Sequence, residues 1–336
     1  MKMLVFDFRD SEKEFFENHE FQDFEIEFIK EPLNEMSVLT QEQYNETDVV
    51  SIFISSNLTE DVLNKFKNLR VIATRSTGYN HIDIKYCSQN NIAVFNVEEY
   101  GQTSVAQFTF ALILALIRNL FPANLDIQRN YLNHADYEGH NLNKMTLGII
   151  GCGSIGSAVA KIANFFDMKV YVCSYAKRAD VSSFAEYVDL DVLFEKSDII
   201  TLHLPYTHES YHMIGEEEFK KMKDGVYIVN TARGELMDVV ALYENLLSGK
   251  IKGAALDVLE CEYLASSPEN IINEIKTSKS NCVSSALITQ KLLGLSNVII
   301  TPHIAYNTQE SVDTLLEVTF NNIRDYYKGV RNNQVC

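Results

Sequence analysis

Three side chains of complementary chemistry fall where strand-like runs end. Val226 to Asn230 runs on into Thr231-Ala232-Arg233-Gly234, Gly253 to Asp257 into Val258-Leu259-Glu260-Cys261-Glu262, and Val298 to Ile300 into Thr301-Pro302-His303. Parallel sheets take their ligands beyond the carboxyl ends of the strands, so an arginine, a carboxylate and a histidine gather at one edge. Taken singly, each has an ordinary explanation as a surface cation, a solvated charge and a helix-entry residue. Together, beside a nucleotide loop, they form a constellation. Hydride transfer to a ketone needs a proton donor for the developing alkoxide, and imidazole is suited to that task. A carboxylate on the other ring nitrogen orients such a histidine and favours its protonated form. Arg233 can grip a substrate carboxylate and polarise a carbonyl with a two-pronged geometry that lysine lacks. A 2-oxo acid presents both groups. His81, His134, His140, His203, His208 and His212 have no such company in the sequence.

The nucleotide loop is Gly151-Cys152-Gly153-Ser154-Ile155-Gly156. It follows the apolar run Leu147 to Ile150, a buried strand by pattern, and precedes helix-like apolar spacing from Ser157 to Phe166. G-x-G-x-x-G between strand and helix fits a dinucleotide. Gly151 makes the tight turn, Gly153 lets backbone approach a pyrophosphate, and Gly156 lets the helix pack closely. The helix N-terminus, with Ser154 and Ile155 in its first turn, offers N–H groups and partial positive charge to phosphate.

These residues need two sheets to hold them. Runs at 3–6, 25–29, 48–54, 69–74 and 92–95 alternate with helical stretches and describe a small parallel α/β unit. Thr103 to Asn119 is an almost wholly apolar helix, as expected of one buried on most sides. After the glycine strand come strands at 170–173, 198–202, 226–230, 253–257 and 298–300, a doubly wound sheet of about six. The last helix, 309–327, returns to the first unit. The expected domains are therefore 1–100 plus 308–336 for substrate and 101–307 for the dinucleotide. Residues 263–296 form a helical excursion with a Ser-rich centre.

At 336 residues the chain is long enough for two cores. A formal net charge of −17 argues against nucleic acid or an anionic membrane as partner. The apolar helix is too short to span a membrane and carries Arg118. Met1-Lys2-Met3 leads straight into a strand, with no secretory leader. Six scattered cysteines without a C-x-x-C pair suggest free thiols and a cytoplasmic chain.

Ordered stretches along nearly the whole chain resemble the D-isomer-specific 2-hydroxyacid dehydrogenase family, and within it the D-lactate dehydrogenases. They are Thr74 to Asp83, Ser104 to Gln107, Gly151 to Gly156, His203-Leu204-Pro205, Asn230 to Gly234, Asp257 to Glu262 and Thr301-Pro302-His303. The resemblance implies two Rossmann-like domains with doubly wound parallel sheets and an active site in the interdomain cleft. It makes Arg233, Glu262 and His303 the catalytic residues, with Glu262 rather than Glu260 as the carboxylate. Thr77 and Gly78 would hold the substrate carboxylate through their N–H groups, with Tyr100 and Tyr306 over the substrate. Thr231, Ala232 and Asp257 would face the nicotinamide, and Leu204 and Pro205 the adenine side. The implied reaction is reduction of a small 2-oxo acid, pyruvate to D-lactate foremost, with glyoxylate or hydroxypyruvate reduction as the alternative. A homodimer is implied, with no metal.

Two positions depart from the family pattern. Gln107 replaces a glutamate, a local change in hydrogen bonding. Aligning Lys169 to Cys173 with the second strand puts Ser174 where NAD enzymes carry an acid, with Lys177 and Arg178 close behind. A carboxylate there repels a 2′-phosphate, whereas a hydroxyl with two cations welcomes it. The cofactor is thus NAD or NADP, with NADP favoured. A different class, a regulatory protein keeping the fold as a dinucleotide sensor, would not need Arg233, Glu262 and His303.

Overall fold

Strand alternation divides the first sheet between two cores. In the computed structural model, which describes residues 1–19, 23–131, 133–265, 271–272 and 282–336, Met3 and Val5 of β1 (Lys2–Val5) enter one core and Leu4 the other. Successive side chains of a strand point to opposite faces, so a strand buried on both faces reads as a continuous apolar run. The same holds for β3 (Thr47–Ile52), β4 (Val71–Thr74) and β5 (Ala93–Phe95), while β2 (Glu25–Phe28) is the more exposed edge. All pairings are parallel, in the order β2-β1-β3-β4-β5. The Gln309–Tyr327 helix covers one face, burying Leu316, Phe320 and Ile323 against Met3, Val5 and Phe95. Thr308 caps it, its hydroxyl accepting from the Ser311 N–H at 3.3 Å.

The chain divides into two compact units, Met1–Tyr100 with Thr308–Cys336, and Gly101–Asn307. The second carries a seven-stranded parallel sheet. Its strands are β6 (Thr146–Ile150), β7 (Lys169–Cys173), β8 (Glu186–Tyr187), β9 (Ile199–Leu202), β10 (Val226–Asn230), β11 (Ile251–Leu256) and β12 (Val298–Ile300), in the order β12-β11-β10-β9-β6-β7-β8. The chain starts at β6, winds outward through β7 and β8, then crosses to β9 and winds the other way. The reversal lies between β6 and β9, the place where such sheets bind dinucleotides. Sequence patterning expects about six strands; the seventh, β8, is two partly exposed residues with no apolar run to announce it.

The Gln102–Ile117 helix is shorter than its apolar run suggests. Asn119 takes a left-handed φ of 51° and a second helix, Leu120–Gln128, follows at a bend of 61°. Among the described residues no single helix is long and apolar enough to cross a membrane. Buried Ala106, Phe110 and Ile113 share a core with Val159, Ala160 and Ala163 of the Ser154–Phe165 helix.

The expectation of six free thiols is corrected. Cys261 and Cys282 form a disulfide with Cα atoms 5.7 Å apart, while Cys87, Cys152, Cys173 and Cys336 are free. The partners are 21 residues apart in sequence, so no spacing rule reveals them; the fold brings them within bonding reach. The Ser-rich centre of the 263–296 excursion falls outside the described residues, and its flanks are the Glu262–Ala265 and Cys282–Leu292 helices.

Phe320 is 2% exposed and packs edge-on to Phe16. Phe320→Ala is expected to destabilise the Met1–Tyr100 unit by about 3–5 kcal/mol. Urea unfolding followed by a probe in that unit, with the Gly101–Asn307 unit monitored separately, checks it.

Candidate active site

Each glycine of the loop after β6 has a distinct steric reason. Gly151 has φ +93°, and a Cβ there would lie 2.4 Å from the His203 carbonyl oxygen; at Gly156 it would lie 2.1 Å from the Gly151 carbonyl oxygen. At Gly153, a Cβ would meet nothing within 4 Å. The first two glycines are thus required by the protein's own packing, while Gly153 borders open space at the start of the Ser154–Phe165 helix. That is the shape of a cradle where backbone must approach a phosphate. Ser154 is exposed and Ile155 half-buried beside it. Leu204 and Pro205 follow β9 on the neighbouring loop.

His203 belongs to this packing. Its Nε2 meets the Thr201 hydroxyl at 3.0 Å, and its Nδ1, closed off from solvent, has no hydrogen-bond partner among the described residues. The residue keeps some exposed surface, but the ring nitrogen has none. Burial therefore pulls its pKa from 6.5 down to about 3.

Beyond β7 the geometry differs from the simple picture of two waiting cations. The Ser174 hydroxyl accepts from the Cys152 N–H at 3.2 Å, tying the strand end to the glycine loop. Arg178 pairs with Asp180 at 3.2 Å, and Lys161 reaches the same carboxylate at 2.7 Å. Lys177 sits 5.8 Å above the Tyr187 ring.

The loops after β10, β11 and β12 carry Arg233, Glu262 and His303. Asn230 stitches the first, its amide donating to the Arg233 carbonyl at 2.8 Å and its oxygen accepting from the Ala232 N–H at 3.0 Å. Thr231 is buried, its hydroxyl 2.9 Å from that of Thr109. Arg233 is half-buried and donates to the Ala232 carbonyl at 2.7 Å. A Cβ on Gly234 would sit 2.0 Å from the Leu259 backbone, so this loop lies directly on the next one. Sequence reasoning missed that contact.

On the second loop Glu262 turns to His303, with Oε2 3.0 Å from Nδ1, and its other oxygen accepts from the Leu259 N–H at 3.2 Å. Glu260 is engaged elsewhere, accepting from Tyr211 at 2.9 Å and Ser285 at 2.8 Å. With Nδ1 held by Glu262, Nε2 is the nitrogen left for a ligand. Tyr306, buried, stands edge-on to the imidazole with ring centroids 6.4 Å apart.

Asp257 sets the position of His303. It is 1% exposed, and its carboxylate accepts from the Thr301 hydroxyl and from the N–H groups of Ile304 at 2.9 Å and Ala305 at 2.8 Å. Burial raises its pKa above the ordinary aspartate value against the pull of those donors. The turn it closes holds His303 at φ +54°, a left-handed conformation that costs a non-glycine residue roughly 1 kcal/mol or more.

In the other unit, the loop after β4 is anchored by Arg75, fully buried, which donates to the Phe6 carbonyl at 2.7 Å and the Ser51 hydroxyl at 3.0 Å. The Thr77 hydroxyl donates to the Val97 carbonyl at 2.7 Å, and Ser76 to the Gly78 carbonyl at 2.6 Å. Among the described residues, neither the Thr77 nor the Gly78 N–H donates to a backbone carbonyl. Tyr100, half-buried, ends this segment. Among the described residues there is no cluster of side chains fit to hold a metal ion.

Two outcomes follow from the buried groups. Asp257→Ala leaves three donors without an acceptor and is expected to cost about 3 kcal/mol or more of stability, read from the thermal midpoint. His203 is neutral in the fold and takes a proton more readily when unfolded, so the unfolded state binds more protons below 6.5. Its contribution to stability is expected to fall as pH drops from 6.5 toward 3, by about 1.4 kcal/mol per unit. Comparing His203→Asn with wild type by denaturant unfolding across that window isolates the slope.

Comparison with known proteins supplies the identity. The D-isomer specific 2-hydroxyacid dehydrogenase family, NAD binding domain, matches residues 110–305. An aromatic 2-oxoacid reductase of Clostridium sporogenes is 37% identical over 294 residues, covering 86% of each chain. A hydroxypyruvate reductase of Thermotoga maritima is 39% identical over 266 residues, covering 79% of this chain and 80% of that one. Among solved structures, D-lactate dehydrogenase from Aquifex aeolicus, complexed with NAD and lactic acid, superposes with a TM-score of 0.86 at 35% identity, covering 99% of this chain and 98% of that one. The glycine cradle at the sheet's reversal and the paired His303 and Glu262 therefore belong to a member of the D-isomer specific 2-hydroxyacid dehydrogenase family, an NAD-binding oxidoreductase acting on 2-oxo and 2-hydroxy acids.

Proposed function

We propose that this enzyme reduces a small 2-oxo acid, pyruvate foremost, to the D-2-hydroxy acid. The observation that carries the reading is the Glu262–His303 hydrogen bond at 3.0 Å, which leaves one imidazole nitrogen to serve a substrate. A dinucleotide held along the Gly151 to Gly156 loop would supply the hydride for the carbonyl carbon. His303 gives the proton from Nε2 to the carbonyl oxygen as negative charge develops there. Glu262 holds the ring so that this nitrogen keeps its aim. Arg233 leaves the Ala232 carbonyl to grip the substrate carboxylate and draw on the carbonyl oxygen. The N–H groups of Thr77 and Gly78 take the other carboxylate oxygen. Thr231, Ala232 and Asp257 would border the nicotinamide, and Leu204 and Pro205 the adenine. Tyr306, already against the imidazole, and Tyr100 restrict the side-chain space to a methyl or little more.

The cofactor reading is relaxed selectivity, with NADPH accepted. Cys173 ends β7 and Ser174 follows it, neither a carboxylate, which removes the repulsion a 2′-phosphate would meet. Arg178 and Lys161 neutralise Asp180, the nearest acid in sequence. A 2′-phosphate entering there would compete with Asp180 for Arg178, and Lys177 would add a second cation.

Steady-state reduction of pyruvate, glyoxylate, hydroxypyruvate and phenylpyruvate with each cofactor tests both readings. Pyruvate is expected to have the highest kcat/KM; a preference for phenylpyruvate would overturn the tight pocket, and one for hydroxypyruvate or glyoxylate would move the assignment to those reductases. His303→Ala is expected to lower kcat by about 10²- to 10⁴-fold, with the dissociation constant for the dinucleotide little changed. Arg178→Ala should weaken NADPH but not NADH; equal effects on the two, or no turnover with NADPH in wild type, would end the selectivity argument.

A further inference from the structure

The disulfide lies beside the proposed catalytic carboxylate in the chain. Cys261 immediately precedes Glu262, the first residue of the Glu262–Ala265 helix, and Cys282 opens the Cys282–Leu292 helix. A second, noncovalent link runs alongside: Ser285, one turn further along the same helix, donates to Glu260 at 2.8 Å. Leu264, Ile271 and Ala286 form a small apolar cluster between the two helices, with Cys282 and Val283 against it. The segment 260–262 is thus fastened from one side to a single helix, while Glu262 on the other side holds His303.

The fastening acts on an unfavourable backbone. Cys261 has φ +57°, a left-handed conformation that a cysteine adopts only when its surroundings impose it. With the disulfide intact, the residue cannot relax without dragging the Cys282–Leu292 helix. With the bond opened, a return to ordinary φ rotates the peptide that leads into Glu262. The carboxylate then loses its fixed approach to the imidazole.

We propose that the Cys261–Cys282 disulfide is a redox switch that holds Glu262 in place, active when oxidised and slowed when reduced. The proposal rests on the reading of Glu262 and His303 as the proton-donating pair. The chemistry is thiol–disulfide exchange with a dithiol. One thiolate of the reductant attacks a sulfur of the pair, the protein S–S bond breaks, and a mixed disulfide forms. The reductant's second thiolate then displaces the protein sulfur. Two electrons and two protons end on Cys261 and Cys282, and the dithiol leaves as a cyclic disulfide. The four remaining thiols compete poorly: burial pushes the Cys87 thiol up to about 12 and raises those of Cys173 and Cys336, and Cys152 is buried.

The test uses the full chain purified without reductant. Alkylation and peptide mapping by mass spectrometry quantify the bond before dithiothreitol, after it, and after reoxidation with diamide, and turnover of the best 2-oxo acid is followed in each state. Reduction is expected to lower kcat by about tenfold, the scale of a misplaced catalytic group, with KM for the dinucleotide within about twofold. Reoxidation should restore kcat. Cys282→Ser should show the reduced behaviour and no response to dithiothreitol. Because wild type is interconverted reversibly, poor folding of that variant does not remove the test. Equal kcat in the two states, with mapping showing complete conversion, would overturn the switch; so would free Cys261 and Cys282 in fully active, air-exposed protein. His303→Ala separates the two readings. If it keeps full turnover, the catalytic pair itself is misassigned; if it is inactive while redox state has no effect, only the switch fails.

Discussion

The carboxylate of Asp257 accepts from Thr301, Ile304 and Ala305 at once, and so fixes a turn whose middle residue has a backbone conformation that histidine rarely takes. Removing that acceptor would leave three donors unsatisfied in the interior. The left-handed φ of His303 is thus maintained by hydrogen bonds that do not involve its side chain. The imidazole remains available, and its direction is set by the fold and by Glu262 rather than by substrate. In the proposed reaction, a proton donor oriented in this way before the substrate arrives loses little to reorganisation in the transition state.

The same logic governs the dinucleotide loop. Gly151 and Gly156 are required because backbone lies against backbone, Gly156 against the carbonyl of Gly151 and Gly151 against that of His203. Burial in this packing keeps the His203 ring neutral. Close packing on the protein side leaves the surface of Gly153 open, which is where a phosphate needs access. The Gly234 contact with Leu259 repeats the device on the catalytic side, so that the Arg233 loop rests on the Glu262 loop.

Much of this was legible in the chain because it is local. Apolar runs marked most strands of both sheets, since a parallel strand buried on both faces needs apolar residues throughout. The helix 309–327 was legible to its ends, having a capping threonine and a regular apolar face. The glycine loop and the residues at the ends of β10, β11 and β12 could be read from type and position. What escaped was non-local or conformational. The break at Asn119 depends on a single left-handed residue inside an apolar run, and β8 is too short for a pattern. The disulfide depends on where a 21-residue excursion returns. The resemblance implies a cofactor-side place for Asp257, but nothing in the sequence tells that its oxygens also close the turn beyond β12.

A net charge of −17 sits oddly with a dinucleotide and a carboxylate substrate, both of which are anions. Scale resolves the tension. At physiological ionic strength the screening length is about 8 Å, so exposed carboxylates further away than that contribute little at the site. Local groups decide the potential there, and in the Gly101–Asn307 unit these include the open helix N-terminus at Gly153 and the guanidinium of Arg233. Backbone N–H groups suit the task because they carry no charge to be repaid when the ligand leaves. Arg233 is also held in reserve, donating to its neighbour's carbonyl. Exchanging that neutral acceptor for a carboxylate strengthens its hydrogen bonds.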